Sequence, residues 1–312
     1  MTNKIHDLSL TVATVLPFTP DGVIDWPSYH RVLDYCTKQA GITAVFVNGH
    51  AGEASALTDE ERGEVLRVTR AAIGPNKKMV AGLVAHSTAA AIAQAKQARE
   101  LGADVLTVFP PGSFGTGGVL LGSLIETYVR AIDAAVDMPL AIFQYPLTSG
   151  SGYDTPTLLR LAEIPNVIAI KEGSDSMLAY EQNYRALKAA RPDLQVLPSN
   201  FDWFLAQLAV GGDGLLSGLA SLAPDQLIEL LEASKRLDLA AMREVNDCMW
   251  TLVRAIYTPP RVEMYARIKV ALQLLGVIDH AYARAPMLPV SEATTAKIAA
   301  ALKDCGLKQF AR

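Results

Sequence analysis

The sequence predicts a (β/α)8 barrel followed by a C-terminal helical extension. Its 312 residues suit a barrel of about 250 residues with an addition. Eight short apolar runs, rich in β-branched residues, suit strands that are buried on both faces. Segments of helical period separate these runs, so eight strand–helix units favour a closed barrel. An open, doubly wound sheet stays the alternative, because pattern alone determines topology poorly.

The eight predicted strands are spread over the first 217 residues. Each is a short apolar run, and most of the intervening segments are long enough for a helix. In chain order the runs are Thr11–Pro17, Ile42–Val47, Met79–Leu83, Asp104–Phe109, Leu140–Phe143, Val167–Ile170, Leu194–Leu197 and Gly214–Ser217.

The segments between the strands carry the start and stop signals of helices. Thr58 and Glu61 form a capping box, and Gly74 with the following proline ends that helix. Ser87 or Thr88 caps the next helix. Asp154 or Thr155, followed by Pro156, predicts a cap and a first-turn proline.

Beyond residue 224 the pattern is helical throughout, with breaks at Thr258-Pro259-Pro260 and between Pro286 and Pro289. We therefore predict a barrel core over residues 1–224, with its last helix at about 225–236, and a helical extension over residues 237–312.

Composition narrows the classes of function. The net charge is −4 and the basic residues are dispersed, which argues against a nucleic-acid partner. No apolar stretch approaches the roughly 20 residues of a membrane helix, and Met1 to Leu10 does not resemble a secretory signal. Three cysteines, far apart, disfavour a disulfide framework or a four-cysteine zinc site. We therefore expect the protein to reside in the reducing cytoplasm.

Lys171 is the first candidate for chemistry, because barrel enzymes place their active sites at the C-terminal ends of the strands. It ends the sixth apolar run. A lysine in a barrel mouth is costly to desolvate while charged, which lowers its pKa and favours the neutral, nucleophilic amine. The alternative is a strand-end lysine that extends to water.

Two further segments follow predicted strands. In the loop Gly49–Glu53, Gly49, Ala51 and Gly52 are predicted to direct backbone N–H groups at a substrate carboxylate; a plain turn explains the loop equally well. In Phe143–Pro146, Gln144 is a candidate hydrogen-bond partner of the substrate and Tyr145 a candidate proton carrier. Phe143 also fits a core aromatic.

Small residues surround the eighth strand. They are Gly212, Gly214, Ser217 and Gly218, and they either leave room for a ligand near Ser217 or relieve crowding.

These segments together resemble the dihydrodipicolinate synthase / N-acetylneuraminate lyase family over nearly the whole chain. The resemblance implies a barrel lyase that acts through an imine of Lys171, without a cofactor or metal, on a small 2-keto acid, and often as a homo-oligomer (dimer or tetramer). The matching stretches, in order, are Leu16–Phe18 with Asp21–Asp25, Gly49–Glu53, Ala81–Thr88, Phe143–Pro146, Ile170–Glu172, Gly212–Ser217, and Lys269 with Gly276.

The departures from the family pattern concern proton transfer and the second substrate. Phe143 replaces the tyrosine that carries protons in aldolase members, and His50 and Ala51 replace a pair of hydroxyl residues. No tyrosine occurs in residues 110–114, and Thr148 stands where the synthases have a carboxylate-binding arginine. The resemblance therefore implies a divergent member that is a poor dihydrodipicolinate synthase.

The leading hypothesis is a Schiff-base lyase of 2-keto acids or 2-keto-3-deoxy sugar acids. Dehydration or deamination is favoured slightly over aldol cleavage, with His50, Tyr145 or water moving protons; an imidazole that titrates near neutral pH would protonate a leaving hydroxyl. One alternative is a metal-dependent barrel enzyme that uses His50, His86 and Glu53. The other is a non-catalytic relative that binds a keto acid.

Overall fold

The computed structural model describes residues 6–112, 122–199 and 201–310, and it confirms the barrel. Eight parallel strands hydrogen-bond side by side in the order β7-β6-β5-β4-β3-β2-β1-β8. They are β1 Leu10–Ala13, β2 Ala44–Val47, β3 Lys78–Leu83, β4 Val105–Val108, β5 Leu140–Phe143, β6 Val167–Glu172, β7 Gln195–Pro198 and β8 Leu215–Ser217.

Asp213 closes the barrel between β7 and β8. Its backbone N–H donates to the carbonyl of Val196 over 2.9 Å, and the N–H of Val196 donates to its carboxylate over 2.9 Å. The glycines on either side relieve crowding. A Cβ at Gly214 would lie 2.3 Å from the carbonyl oxygen of Ser9, and one at Gly212 would lie 2.6 Å from the ring of Pro198. These two glycines therefore serve packing and not a ligand.

Helices alternate with the strands around the barrel. They are α1 Trp26–Thr37, α2 Asp59–Ile73, α3 Thr88–Glu100, α4 Gly122–Val136, α5 Thr155–Ala162, α6 Met177–Ala190, α7 Phe204–Val210 and α8 Pro224–Lys235. The capping box of Thr58 and Glu61 is confirmed in both directions. Ser87 caps α3 and Asp154 caps α5, which resolves the two open alternatives.

In the described ranges, three α-helices follow the barrel: α9 Leu239–Tyr257, α10 Met264–Leu274 and α11 Glu292–Asp304. One continuous apolar cluster joins Val12 and Leu215 of the barrel with Met249 and Ile256 of α9. The division of the chain at residue 237 stays a prediction. Within the described ranges, no helix combines the length and the apolar character that crossing a membrane requires.

Candidate active site

A cavity of about 310 Å³ lies at the C-terminal ends of the strands. Seven of the ten site residues predicted from the sequence line it, whereas Gly49, Gly52 and Thr148 do not. The seven are His50, Ala51, Phe143, Gln144, Tyr145, Lys171 and Ser217. A cleft at this position is where a barrel enzyme carries its chemistry.

Lys171 is the penultimate residue of β6, so the strand extends one residue beyond it. Its neighbour in the sheet register is Phe143 of β5, and Nζ lies 3.9 Å from the centroid of that ring. Among the residues that the structure describes, no oxygen accepts a hydrogen bond from Nζ. Burial lowers the pKa of Lys171 to about 7, and the nearby charge of Glu172 opposes the shift only in part.

Glu172 has its side chain on the opposite side of β6 and is fully buried. Its carboxylate accepts hydrogen bonds from Ser174 and from the side-chain amide of Asn183, at 2.9–3.2 Å. Burial raises the pKa of Glu172, and these hydrogen bonds oppose the rise. The hydrogen-bonding capacity of the Glu172 carboxylate is thus used by residues outside the cavity, and Glu172 does not form a direct ion pair with Lys171.

The loop after β2 carries two backbone donors beside the cavity, since His50 and Ala51 both line it. The N–H groups of His50 and Ala51 find no acceptor within the described parts of the chain. The left-handed residues of the loop are Asn48, with φ 56°, and Glu53, with φ 53°, and not its glycines. Gly49 is required for a different reason, since a Cβ there would lie 2.7 Å from the ring of Phe46. Adjacent unpaired N–H groups are suited to binding an anion.

His50 and Tyr145 form a hydrogen-bonded pair between Nε2 and the phenolic hydroxyl. The imidazole faces the open cavity. It also makes edge-to-face contacts with the rings of Phe109 and Phe143, whose centroids lie 5.1 and 5.5 Å from its own. Burial, and then the charge of Lys171, lower the pKa of His50 below 6.5. Burial raises the pKa of Tyr145 far above 10.0.

Those two pKa directions bear on the proton-carrier role expected of His50 and Tyr145. The imidazole is neutral near pH 7, so His50 is poised to accept a proton and does not start as an acid. The hydroxyl of Tyr145 keeps its proton, and it shares a hydrogen bond with Nε2 of His50 in which the neutral imidazole is donor or acceptor according to its tautomer.

Two of the predicted ligands have other contacts. The side-chain amide of Gln144 bonds both backbone groups of Tyr153, at 2.8 and 2.9 Å, which holds the following loop. The Oγ of Ser217 accepts the N–H of Leu219 over 3.1 Å and starts a short helical turn. Thr148 lies in a neighbouring cavity of about 410 Å³ that Lys171 does not line.

Among the cavity-lining residues that the sequence interpretation missed are three from the helical extension and one from the loop after β6. Tyr257, Arg261 and Met264 come from the helical extension, and Asp175 follows β6. The sequence feature that could have revealed them is the break in the helical pattern at Pro259 and its neighbours, which lies between Tyr257 and Arg261. The sequence interpretation took that break only as the end of a helix.

The structure gives no support to the metal-site alternative within the residues it describes, where no three histidine, cysteine or acidic side chains converge. Glu53 is instead paired with Lys269 in the protein interior. His86 lies near Gly112, at the edge of the described range. Ser113 and Phe114, part of the segment without a tyrosine, lie outside the described residues.

Comparisons with known proteins agree with this architecture. A sequence model of the Dihydrodipicolinate synthetase family matches residues 8–305. The 4-hydroxy-tetrahydrodipicolinate synthase of Moorella thermoacetica is 30% identical over 303 residues, which cover 96% of this chain and 98% of that relative. The dihydrodipicolinate synthase structure from Thermotoga maritima is 28% identical with a TM-score of 0.87, covering 95% of this chain and 98% of that one.

A third similar protein was solved with a small keto acid. The chloride-inhibited dihydrodipicolinate synthase from Acinetobacter baumannii, complexed with pyruvate, is 27% identical with a TM-score of 0.85. The likeness covers 96% of this chain and 99% of that one.

Proposed function

This chain belongs to the dihydrodipicolinate synthetase family, and we propose that it is a lyase that forms an imine between Lys171 and a 2-keto acid. Dehydration of a 2-keto-3-deoxy sugar acid is the reaction that the site supports best. The observation that carries this proposal is the environment of Lys171, whose Nζ faces the cavity with a pKa near 7. A pyruvate complex of a relative supports a keto acid as the substrate.

Imine formation activates the substrate for the later steps of the reaction. Nζ attacks the keto carbon C2, and the keto oxygen leaves as water. The imine withdraws electrons from C3, so a C3 proton is lost to a base and the electron pair then expels the C4 hydroxyl. That hydroxyl takes a proton and leaves as water, and a further water then hydrolyses the product imine, which releases the keto acid and frees Lys171.

His50 and Tyr145 supply the proton carriers in this proposal. The neutral imidazole accepts the C3 proton, and the imidazolium so formed returns a proton to the departing C4 hydroxyl, either directly or through the phenol on its Nε2. The substrate carboxylate lies against the free N–H groups of His50 and Ala51. No cofactor or metal is part of this scheme.

Condensation of pyruvate with aspartate semialdehyde is poorly supported by the same site. Phe143 and Ala51 have no hydroxyl where the resemblance calls for one. Thr148, at the position of the synthases' arginine, lies in the neighbouring cavity and has no charge. Each missing acid–base group typically costs roughly 10²–10⁴-fold in rate, although members of one relay do not add independently.

The first experiment traps the imine by incubating the protein with pyruvate and borohydride, followed by intact-mass and peptide analysis. We expect one adduct, on the Lys171 peptide. Lys171→Arg should abolish it with the fold intact, because arginine stays protonated. Lys235→Arg, on the exposed face of α8, is the matched control and should retain it. Failure of the wild-type protein to form an adduct would leave the non-catalytic, keto-acid-binding alternative.

The second experiment separates the reactions. Pyruvate with aspartate semialdehyde is assayed beside a panel of 2-keto-3-deoxy sugar acids. We expect turnover of the sugar acids and weak condensation. A kcat/KM for condensation near or above about 10⁴ M⁻¹s⁻¹ would show that the synthase reaction is retained.

Two expectations from the sequence, a homo-oligomer and a reducing cytoplasm, stay predictions. Cys36, Cys248 and Cys305 form no disulfide in the structure, although the Sγ atoms of Cys248 and Cys305 lie 3.2 Å apart.

A further inference from the structure

An ion pair crosses the rim of the Lys171 cavity. Nη1 of Arg261 lies 2.9 Å from Oδ2 of Asp175, and Nη2 lies 2.9 Å from Oδ2 of Asp202. Asp175 comes four residues after Lys171 at the end of β6, whereas Arg261 belongs to the extension that follows α9. Both Arg261 and Asp175 line the cavity, so the barrel and the extension meet there through a paired donor and acceptor.

Among the described residues, the charges of this rim cluster are balanced. Arg254 adds a second cation, 3.4 Å from Asp202, so that part of the chain contributes two cations and two anions. Ion pairs such as these leave little net field for a further charge. A second carboxylate on the substrate would therefore gain no net attraction at this end, and it would have to displace Asp175 to pair with Arg261.

A hydroxyl group fits the pair better than a charge does. It donates to the carboxylate of Asp175 and accepts from the guanidinium of Arg261, so it inserts without breaking the charge balance. Elsewhere the wall is largely apolar, with Phe143, Leu216 and Met264 among its residues. The pair therefore provides a strongly polar, two-sided contact for the end of a substrate remote from its keto group.

We propose that Arg261 and Asp175 bind the distal hydroxyls of the substrate and select a neutral, hydroxylated 2-keto acid over a dicarboxylic one. The proposal rests on the imine chemistry proposed for Lys171, whose product with pyruvate has no distal chain. The cavity of about 310 Å³ is at the lower end of ligand-site volumes, which suits a short sugar acid.

The test compares two readouts in Asp175→Asn and Arg261→Lys. One is kcat/KM for a 2-keto-3-deoxy sugar acid, and the other is the yield of pyruvate trapped by borohydride. We expect the sugar-acid value to fall about 10- to 100-fold more than the trapping yield, as the loss of a charged hydrogen bond predicts. Arg254→Lys is the matched control, since Arg254 also contacts Asp202 but does not line the cavity, and its ratio should equal that of the wild type.

Asp175→Asn also sharpens the selectivity claim, because it removes one anion and leaves the cluster positive. Its preference for a 2-keto acid with a distal carboxylate, relative to the sugar acid, should rise above that of the wild type. Equal losses in both readouts, or an unchanged preference, would overturn the inference. A wild-type protein that traps no pyruvate would instead refute the function proposed for Lys171.

Discussion

Lys171 is half-buried and Lys269 is fully buried, and the amines of both lie over an aromatic ring, yet their surroundings suit them to opposite tasks. Nζ of Lys171 lies 3.9 Å from the ring centroid of Phe143, and that of Lys269 lies 4.4 Å from Phe18. Burial lowers the pKa of both, to about 7 and about 8. The ring and the lowered pKa therefore do not distinguish a reactive lysine from a structural one.

The two lysines differ in whether a carboxylate pairs with the amine. Lys269 is fully buried, pairs with Glu53 and donates to the carbonyl of Tyr282 over 2.8 Å. Glu53 also accepts the backbone N–H of Arg284 over 3.0 Å, so the pair ties the extension to the end of the loop that carries His50. Within the described part of the chain, Lys171 has neither a carboxylate nor a carbonyl partner, and it lines the cavity. A buried lysine is available to attack a carbonyl only when its hydrogen-bonding capacity is not already used.

Lys269→Met gives the largest expected effect on stability. It leaves Glu53 buried without its cation, which should lower the free energy of unfolding by about 3–5 kcal/mol. Urea denaturation measures this, with the exposed Lys235→Met as control. Adding Glu53→Gln should restore part of the loss, because it removes the stranded charge. Wild-type stability in Lys269→Met would show that the pair contributes no net stability.

The pH dependence of imine formation tests the other half of the comparison. Below pH 7 the amine of Lys171 is protonated and cannot attack, so the trapping rate with cyanoborohydride should fall about tenfold per pH unit. The neutral His50 should add no second inflection near neutrality, because burial lowers its pKa.

A matched variant refines this profile. Glu172 is the charge that opposes the lowering of the Lys171 pKa, so Glu172→Gln should move the midpoint to lower pH. A wild-type midpoint near the ordinary lysine value of 10.5 would mean that Nζ is solvated, and the assignment would fail.

The barrel was predictable from the sequence because its signals are local. Each strand is one apolar run, and all eight runs appear as strands within a few residues of their predicted bounds. Lys171 could be found for the same reason, since its place at the end of a run puts it in the barrel mouth. Phe143 and its missing hydroxyl were visible from the resemblance alone.

Contacts between distant parts of the chain could not be predicted in this way. Lys269 and Glu53 are 216 residues apart, and no local pattern joins them. Arg261 reaches the cavity only because the extension packs against the barrel. The direction of the Gln144 side chain likewise depends on the position of the Tyr153 backbone, and a motif of four letters does not contain that information.

The smallest expected effect is a gain in stability from Lys171→Met. The same change at Lys269 is expected to lower the free energy of unfolding, whereas at Lys171 it should raise it. The folded protein holds this amine at a pKa near 7 and the unfolded chain at about 10.5, so folding must desolvate a charge below pH 7. That cost is complete below pH 7, shrinks as the pH rises toward 10.5 and is absent above it.

Methionine removes the cost while keeping most of the side-chain volume. We therefore expect the free energy of unfolding of Lys171→Met to exceed that of the wild type by about 0.5–2 kcal/mol at roughly pH 6. Replacing a residue that function requires commonly gives a gain of this size. The gain should diminish at about pH 9 as the wild-type amine loses its proton. Urea denaturation at both pH values, alongside Lys269→Met, provides the measurement. If both methionine variants lose stability at the lower pH, Lys171 is a structural lysine as well, and the contrast between the two sites is wrong.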